Sequence, residues 1–344
     1  MGNPYTITFG KEPLQNIPRF TESNEILDAF LNTPPNQQSY IITGVRGSGK
    51  TVLMTEIRKQ LDQREEWRSV ELSTSQDLLL TLAQTLYNDN HLYKILKQGG
   101  GFSLMGFGVQ LNGSIEIQNP TLAIKNALEK LSKKGYKLLI CIDEVVSNRT
   151  MQEFASIYQI LLREDYPIYL IMTGLYDNIN DLRNEENLTF LYRTPEIRLR
   201  SLNLSTIAAN YRKNLGVTAE DANTMAVLTK GYSFAFQVLG YFTYRNSGDY
   251  EAAMTDYRQY LEDYVYDKIW SELSAEDKKL LYGIAKSQTG KAKEIKDTLN
   301  WSNEKYAPYR DRLIKKMIID GSEYGHLKLV LPLMEDYIMM KYEV

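Results

Sequence analysis

The chain is poor in the side chains that most metal and covalent chemistry needs. Its 344 residues include one cysteine, Cys141, and two histidines, His91 and His326. A single cysteine excludes a disulfide framework and fits a reducing compartment. A zinc site lacks ligands, and no nucleophile–base pair of the ester- or peptide-cleaving kind is visible. No uninterrupted apolar run approaches the ~20 residues that cross a bilayer. Residues 1–5 lack a basic segment followed by an apolar core, so no secretory signal is read. Gly2 with Thr6 fits the loose spacing of a myristoylation site, but no polybasic second anchor follows it. These absences predict a cytoplasmic protein with no membrane partner. The net charge of −3 argues neither for nor against nucleic acid, because it averages over domains that can differ in sign. With 43% apolar and 24% charged residues the composition is globular, and the length predicts two or three domains.

Against that background one stretch stands out: Tyr40-Ile41-Ile42-Thr43-Gly44-Val45-Arg46-Gly47-Ser48-Gly49-Lys50-Thr51. An apolar β-type run leads into Gly44-x-x-x-x-Gly49-Lys50-Thr51, and residues 52–61 follow with helical spacing of their apolar positions. Strand, loop and helix come in the order that a phosphate cradle requires. The glycines let the backbone N–H groups of Gly44, Val45, Arg46, Gly47, Ser48 and Gly49 turn onto phosphate, where the helix N-terminus adds partial positive charge. Lys50 then reaches the β- and γ-phosphates, and the Thr51 hydroxyl sits on Mg2+.

A second chemical stretch lies 93 residues beyond Lys50. Residues 137–145 are a continuous apolar run, as in a strand buried on both faces of a parallel sheet, and they end in Asp143 and Glu144. Carboxylates at the C-terminal end of such a strand stand where α/β sheets place their ligands. Asp143 is expected to hold Mg2+ through water, and Glu144 to orient and deprotonate an attacking water. Residues 166–174 form another buried strand, ending in Thr173, which is placed to feel the γ-phosphate or the attacking water. A last strand is read over 190–199, and a shorter one over 69–72. Helices are read over 21–31, 77–87, 121–133 and 153–163, so strands and helices alternate and a parallel sheet follows. Pro13 and Pro18 make residues 4–19 an extended strap over the surface. Gly99-Gly100-Gly101 opens a stretch to 119 with no preceding strand and no following helix, which fits a hairpin insertion and not a second nucleotide loop. From 205 to 266 the pattern is helical throughout, with Gly216 and Gly231 as stops, and reads as a small lid.

Taken together, these residues resemble the additional-strand P-loop ATPases, the AAA+ and STAND group. More closely, they are similar to the archaeal and bacterial ATPases of the origin-recognition-like branch, which carry a C-terminal winged helix. The resemblance covers nearly the whole chain. Gly44 to Thr51 matches Walker A, Ile140-Cys141-Ile142-Asp143-Glu144 matches Walker B, and Thr173 falls at sensor 1. Gly231-Tyr232-Ser233-Phe234-Ala235-Phe236-Gln237 is similar to the lid motif of this group, with Ser233 where STAND members usually carry proline. No arginine stands at the sensor 2 place beside it, which weakens the case for fast hydrolysis. For an arginine finger the resemblance offers Arg193 first and Arg163 second, and either also fits a surface ion pair. The implied fold is α/β: a P-loop NTPase parallel sheet core with a helical lid and a C-terminal winged-helix domain. The implied bounds are a strap and helix over 1–35, the ATPase core over 36–203, the lid over 204–268 and the winged helix over 269–344.

The C-terminal third bears on partners. Helices read over 274–287, 291–299 and 303–318, then a turn at 320–325 and a strand over 326–332, are the order of a winged helix-turn-helix. Residues 286–316 hold nine Lys and Arg against four Asp and Glu. In one reading the third helix enters a DNA major groove while Arg310, Arg312, Lys315 and Lys316 touch phosphates. In the other the module is a protein contact with an ordinary solvated face. The functional expectation is an ATP-binding protein, a slow Mg2+-dependent ATPase that acts as a nucleotide switch. The alternative is a non-hydrolysing, nucleotide-held DNA-binding or protein-adaptor module. Duplex DNA, a protein partner and a homo-oligomer all stay open, and a small-molecule kinase is disfavoured because no basic acceptor pocket is visible.

Overall fold

Runs of aliphatic and β-branched residues flanked by helical segments build a sheet that is buried on both faces. The computed structural model describes residues 2–8, 13–89, 92, 94, 96, 107–109, 115–186 and 188–343. The chain packs as two compact units. One comprises Phe20–Thr43 and Lys50–Arg198, the other Met1–Arg19, Gly44–Gly49 and Leu199–Val344.

The first unit holds helix α1 (Phe20–Leu31), strand β1 (Ser39–Thr43), α2 (Lys50–Asp62), β2 (Trp67–Ser73) and α3 (Leu78–Asn88). It continues through β3 (Phe107–Val109), β4 (Ile115–Ile117), α4 (Pro120–Lys133), β5 (Lys137–Asp143), α5 (Arg149–Arg163) and β6 (Ile168–Gly174). It ends with α6 (Tyr176–Arg183), α7 (Phe190–Arg193) and β7 (Glu196–Arg198). Five strands pair in parallel in the order β2-β5-β6-β1-β7. Side-chain alternation divides the sheet's faces. Ile41, Val70, Leu72, Ile140, Ile142, Leu170 and Met172 join one core with Leu82, Leu128, Phe154 and Tyr158 of the helices. On the other face Phe30, Tyr40, Trp67 and Tyr169 form an aromatic cluster with ring centroids 4.6–6.3 Å apart.

One expectation needs adjustment. Residues 190–199 are not one strand: α7 ends at Arg193 and β7 begins at Glu196. Pro195 provides the reason, since the residue before a proline is driven out of the α region, and Thr194 is extended at ψ 120°. The insertion does contain an antiparallel pair, Phe107 opposite Ile117. The rest of that Gly-rich stretch, 99–106 and 110–114, lies outside the described residues, as does His91.

The second unit is helical: α8 (Leu204–Leu215), α9 (Ala219–Leu228), α10 (Ser233–Arg245), α11 (Tyr250–Leu261), a π-helical turn (Glu262–Tyr266), α12 (Asp267–Glu272), α13 (Ala275–Lys286), α14 (Ala292–Leu299), α15 (Asn303–Lys315) and α16 (Met334–Glu343). Side chains of Asn203, Thr218 and Asp249 cap the N-termini of α8, α9 and α11. Gly216 adopts the left-handed conformation that ends α8. Ser274 and Asp277 form a complete capping box on α13. Beyond α15 the strands β8 (Ile319–Asp320) and β9 (Lys328–Leu329) pair antiparallel, and Lys291 bridges to His326. Three helices followed by this ribbon fit a winged helix, with α16 added. One continuous core runs from Ile207 in α8 to Ile338 in α16, so the lid helices and the C-terminal module are packed as a single body.

The N-terminal strap belongs to this core and does not merely cover it. Tyr5 is 2% exposed; its hydroxyl donates to Asn210 Oδ1 at 2.8 Å, and its ring lies 5.5 Å from that of Phe236. The ring occupies the space where a Cβ at Gly240 would stand, 2.7 Å from the ring carbons. Gly240→Val is therefore expected to cost about 1–3 kcal/mol by overpacking. Urea denaturation should show the midpoint falling with the m-value unchanged.

Candidate nucleotide site

Within the sheet unit, Asp143 at the end of β5 is the hub. The Thr51 hydroxyl, at the start of α2, donates to Asp143 Oδ2 at 2.7 Å, and the Thr173 hydroxyl, near the end of β6, donates to Oδ1. Thr173 is fully buried and also accepts from the Glu144 N–H at 3.2 Å. Its hydroxyl is thus committed to aligning the two carboxylate-bearing residues. Thr51, Asp143, Thr173 and Glu144 are brought together as the motif spacing implied. Thr51 and Asp143 present hard oxygen donors side by side, which fits Mg2+. Among the described residues no cluster of three or more His, Cys, Asp or Glu could hold a metal alone, so phosphates and water would complete such a shell.

Glu144 is exposed and left-handed, with φ +49°. That conformation is costly for a residue with a Cβ, and it persists here because the hydrogen bonds of Glu144 N–H and Val145 N–H to Thr173 hold the turn.

The loop Gly44–Gly49 groups with the helical unit. Gly47 and Gly49 have φ of +73° and +93°, which only glycine takes without strain. Each central carbonyl of the loop has a donor in that unit. Arg46 O accepts from the Tyr232 hydroxyl at 2.5 Å, Gly47 O from the Phe234 N–H at 3.1 Å, and Ser48 O from the Ser233 hydroxyl at 3.0 Å. Arg19, the last residue of the strap, adds a bond to Ser48 O at 3.1 Å and another to Ser233 Oγ at 3.3 Å. Burial pushes the Tyr232 phenol far above its ordinary range, so it stays a donor. The Arg46 guanidinium pairs with Glu272 at the end of α12, 3.1 Å away.

Arg193 and Arg163 are exposed at the C-terminal ends of α7 and α5, outside the hydrogen-bonded constellation around Asp143. Cys141 is buried in β5, and burial pushes its thiol up to about 12, which leaves it inert. Arg19 and the donor roles of Tyr232 and Ser233 were not legible from spacing, although the lid motif did single out the segment. Also unforeseen is a cluster at β7. Glu196 accepts from Thr43 at 2.7 Å, from Arg183 at 2.7 Å and from Arg198 at 3.0 Å. Burial raises its carboxyl, but the Arg183, Thr43 and Arg198 bonds outweigh that and hold it below the ordinary carboxylate range.

This site and sheet order define the fold of origin-recognition-like P-loop ATPases. A Walker-type ATPase of Pyrococcus abyssi superposes with a TM-score of 0.69 at 15% identity, covering 94% of this chain and 96% of that one. The ORC2 protein of Aeropyrum pernix, solved as ADPNP-ADP complexes, superposes with a TM-score of 0.62 at 13% identity, over 98% of this chain and 97% of that one. Its ADP form gives 0.55 at 12% identity, over 97% of each. Such identities establish the fold alone. No curated protein matches the sequence. Residues 263–338 match a family model described as Domain of unknown function (DUF8462).

Replacing Glu144 by Asn, which tolerates the left-handed region, should raise stability by about 0.5–1 kcal/mol. Thermal melts would register that gain. The depressed carboxyl of Glu196 contributes stability that is present above the unfolded-state carboxylate range and is lost as pH falls through the folded pKa. Glu196→Gln should flatten the acid limb of a stability-versus-pH curve.

Proposed function

We propose that this protein binds ATP with Mg2+ and hydrolyses it slowly, as a nucleotide switch. The observation that carries the reading is the Asp143 carboxylate joined to the Thr51 and Thr173 hydroxyls, with Lys50 beginning the same helix as Thr51. Loop N–H groups and Lys50 bind the β- and γ-phosphates, and the N-terminus of α2 adds its dipole. Thr51 and Asp143 would hold Mg2+, whose chemistry there is to neutralise charge growing on the phosphate oxygens. Glu144, exposed on the turn after β5, orients the attacking water and accepts its proton. Thr173 acts by fixing Asp143 and the Glu144 backbone. Arg193 is carried forward as the candidate finger; its exposure at the end of α7 suits insertion into another copy's site. The functional segments follow the bounds given above, with the lid and the winged helix moving together.

For the C-terminal module we favour a protein partner over DNA, on a specific observation. Three of the four cations of α15 are paired within the fold: Arg312 with the buried Asp277 at 2.6 Å, Lys305 with Glu276 at 2.8 Å and Arg310 with Asp311 at 2.9 Å. Arg312 also bonds the Ser274 cap, so it supports α13 and is not offered to a phosphate. Asp277 and Glu276 lie outside the counted stretch and lower its excess of positive charge from five to three.

Lys50→Ala should abolish binding of a fluorescent ATP analogue. Phosphate release with Mg-ATP should be slow and should vanish in Glu144→Gln. Duplex DNA should leave the rate unchanged; a DNA-stimulated rate would restore the DNA-binding reading, and wild-type binding by Lys50→Ala would sink the nucleotide site.

A further inference from the structure

The helical unit holds the loop at one end of a short segment and the C-terminal module at the other. That segment is Lys230–Phe234, between α9 and the first turn of α10. Its downstream residues Tyr232, Ser233 and Phe234 supply donors to the carbonyls of Arg46, Ser48 and Gly47. Upstream, the Lys230 ammonium reaches across 99 to 105 residues of sequence. It donates to Leu329 O and Leu331 O, both at 3.3 Å, and pairs with Glu335 at 2.7 Å. Leu329 closes the ribbon strand β9 and Glu335 lies in the first turn of α16.

The backbone of the segment is constrained along its length. Lys230 and Gly231 are left-handed at φ +48° and +73°. Gly231 O accepts from the Leu202 N–H at 2.7 Å and Gly231 N–H donates to the buried Thr229 hydroxyl at 3.1 Å. A Cβ at Gly231 would stand 2.6 Å from Leu202 O. With no slack in five residues, a displacement of the Lys230 end reaches the loop donors. A second tie runs in parallel: Arg46 pairs with Glu272, one residue before Leu273 and the Ser274 cap of α13.

We propose that Lys230–Phe234 is a relay by which the C-terminal module sets the phosphate loop. Lys230 and Glu335 are positioning residues that touch no nucleotide, and Tyr232 and Ser233 are the groups through which they act. A partner that engages the ribbon or α16 would loosen the Lys230 clamp, release the loop carbonyls and weaken nucleotide binding. By reciprocity, nucleotide would weaken that partner's hold. The relay rests on the nucleotide reading for its biological meaning, whereas the mechanical link stands on the hydrogen bonds and ion pairs alone.

The test separates the two. Hydrogen exchange of peptides covering 44–49 is measured on the full chain without nucleotide, for wild type, Lys230→Met, Glu335→Gln and Tyr232→Phe, with Lys328→Gln at the ribbon surface as control. Affinity for N-methylanthraniloyl-ADP is measured in parallel. The relay predicts faster exchange of the loop in the first three variants and not in the control. It also predicts nucleotide affinity weakened roughly 2- to 30-fold in Lys230→Met and Glu335→Gln, the scale of coupling through packed networks. The Lys230→Met/Tyr232→Phe double variant should fall short of the sum of its parts. Loop exchange unchanged in both Lys230→Met and Glu335→Gln would overturn the relay. Faster exchange in a protein that binds no nucleotide would uphold the relay and refute the nucleotide reading. Should Lys230→Met not fold, Glu335→Gln, which keeps side-chain volume and the two carbonyl acceptors, carries the same test.

Discussion

Backbone carbonyls withdrawn from water need hydrogen-bond donors, and a tight loop cannot supply them all from within. Here that requirement falls on three consecutive residues, Arg46, Gly47 and Ser48. It is met by Tyr232, Phe234 and Ser233 of the helical unit together with Arg19 of the strap. Much of the second unit's construction follows. The strap has to end at Arg19, the turn before α10 has to be left-handed at Lys230 and Gly231, and the Tyr232 phenol has to be buried and protonated. Ser233 contributes through its hydroxyl, which donates to Ser48 O.

The sheet unit answers a different demand, that of holding two adjacent carboxylate residues in different backbone conformations. Asp143 continues β5 and is fixed by two hydroxyls, whereas Glu144 turns out of the strand at φ +49°. A single threonine, Thr173, bonds both residues and so ties the geometry of the neighbouring strand β6 to theirs. The strain in Glu144 is local, and the two backbone bonds to Thr173 are what sustain it.

What was legible in the sequence is what local spacing encodes. The strand–loop–helix at 40–61, the carboxylate-ended strand at 137–145, the caps at Thr218 and Ser274 and the three-helix-plus-ribbon order all depend on neighbours within a few residues. What was not legible depends on distant partners. Arg19 meets Ser233 across 214 residues, and Lys230 meets Glu335 across 105. The charge count over 286–316 is incomplete for the same reason, because Asp277 and Glu276, which pair with Arg312 and Lys305, lie outside the window. The error at 190–199 was of another kind: Pro195 divides the run, and an apolar start does not tell a helical turn from a strand.

The strap that inserts Tyr5 beside Gly240 also has a temporal side. Residues 3–6 bond Asn210, Gln237 and Tyr241, separated from them by 205 to 238 positions. At synthesis rates of roughly 5–20 residues per second, the strap waits on the order of ten seconds or more for its partners. Every strand of the sheet unit has left the ribosome once Arg198 emerges, while the helical unit still lacks its main body. Nascent chains of this protein therefore spend that interval with residues 3–6 apart from their partners, and the carbonyls of Arg46 and Gly47 acquire their donors only when Tyr232 to Phe234 arrive.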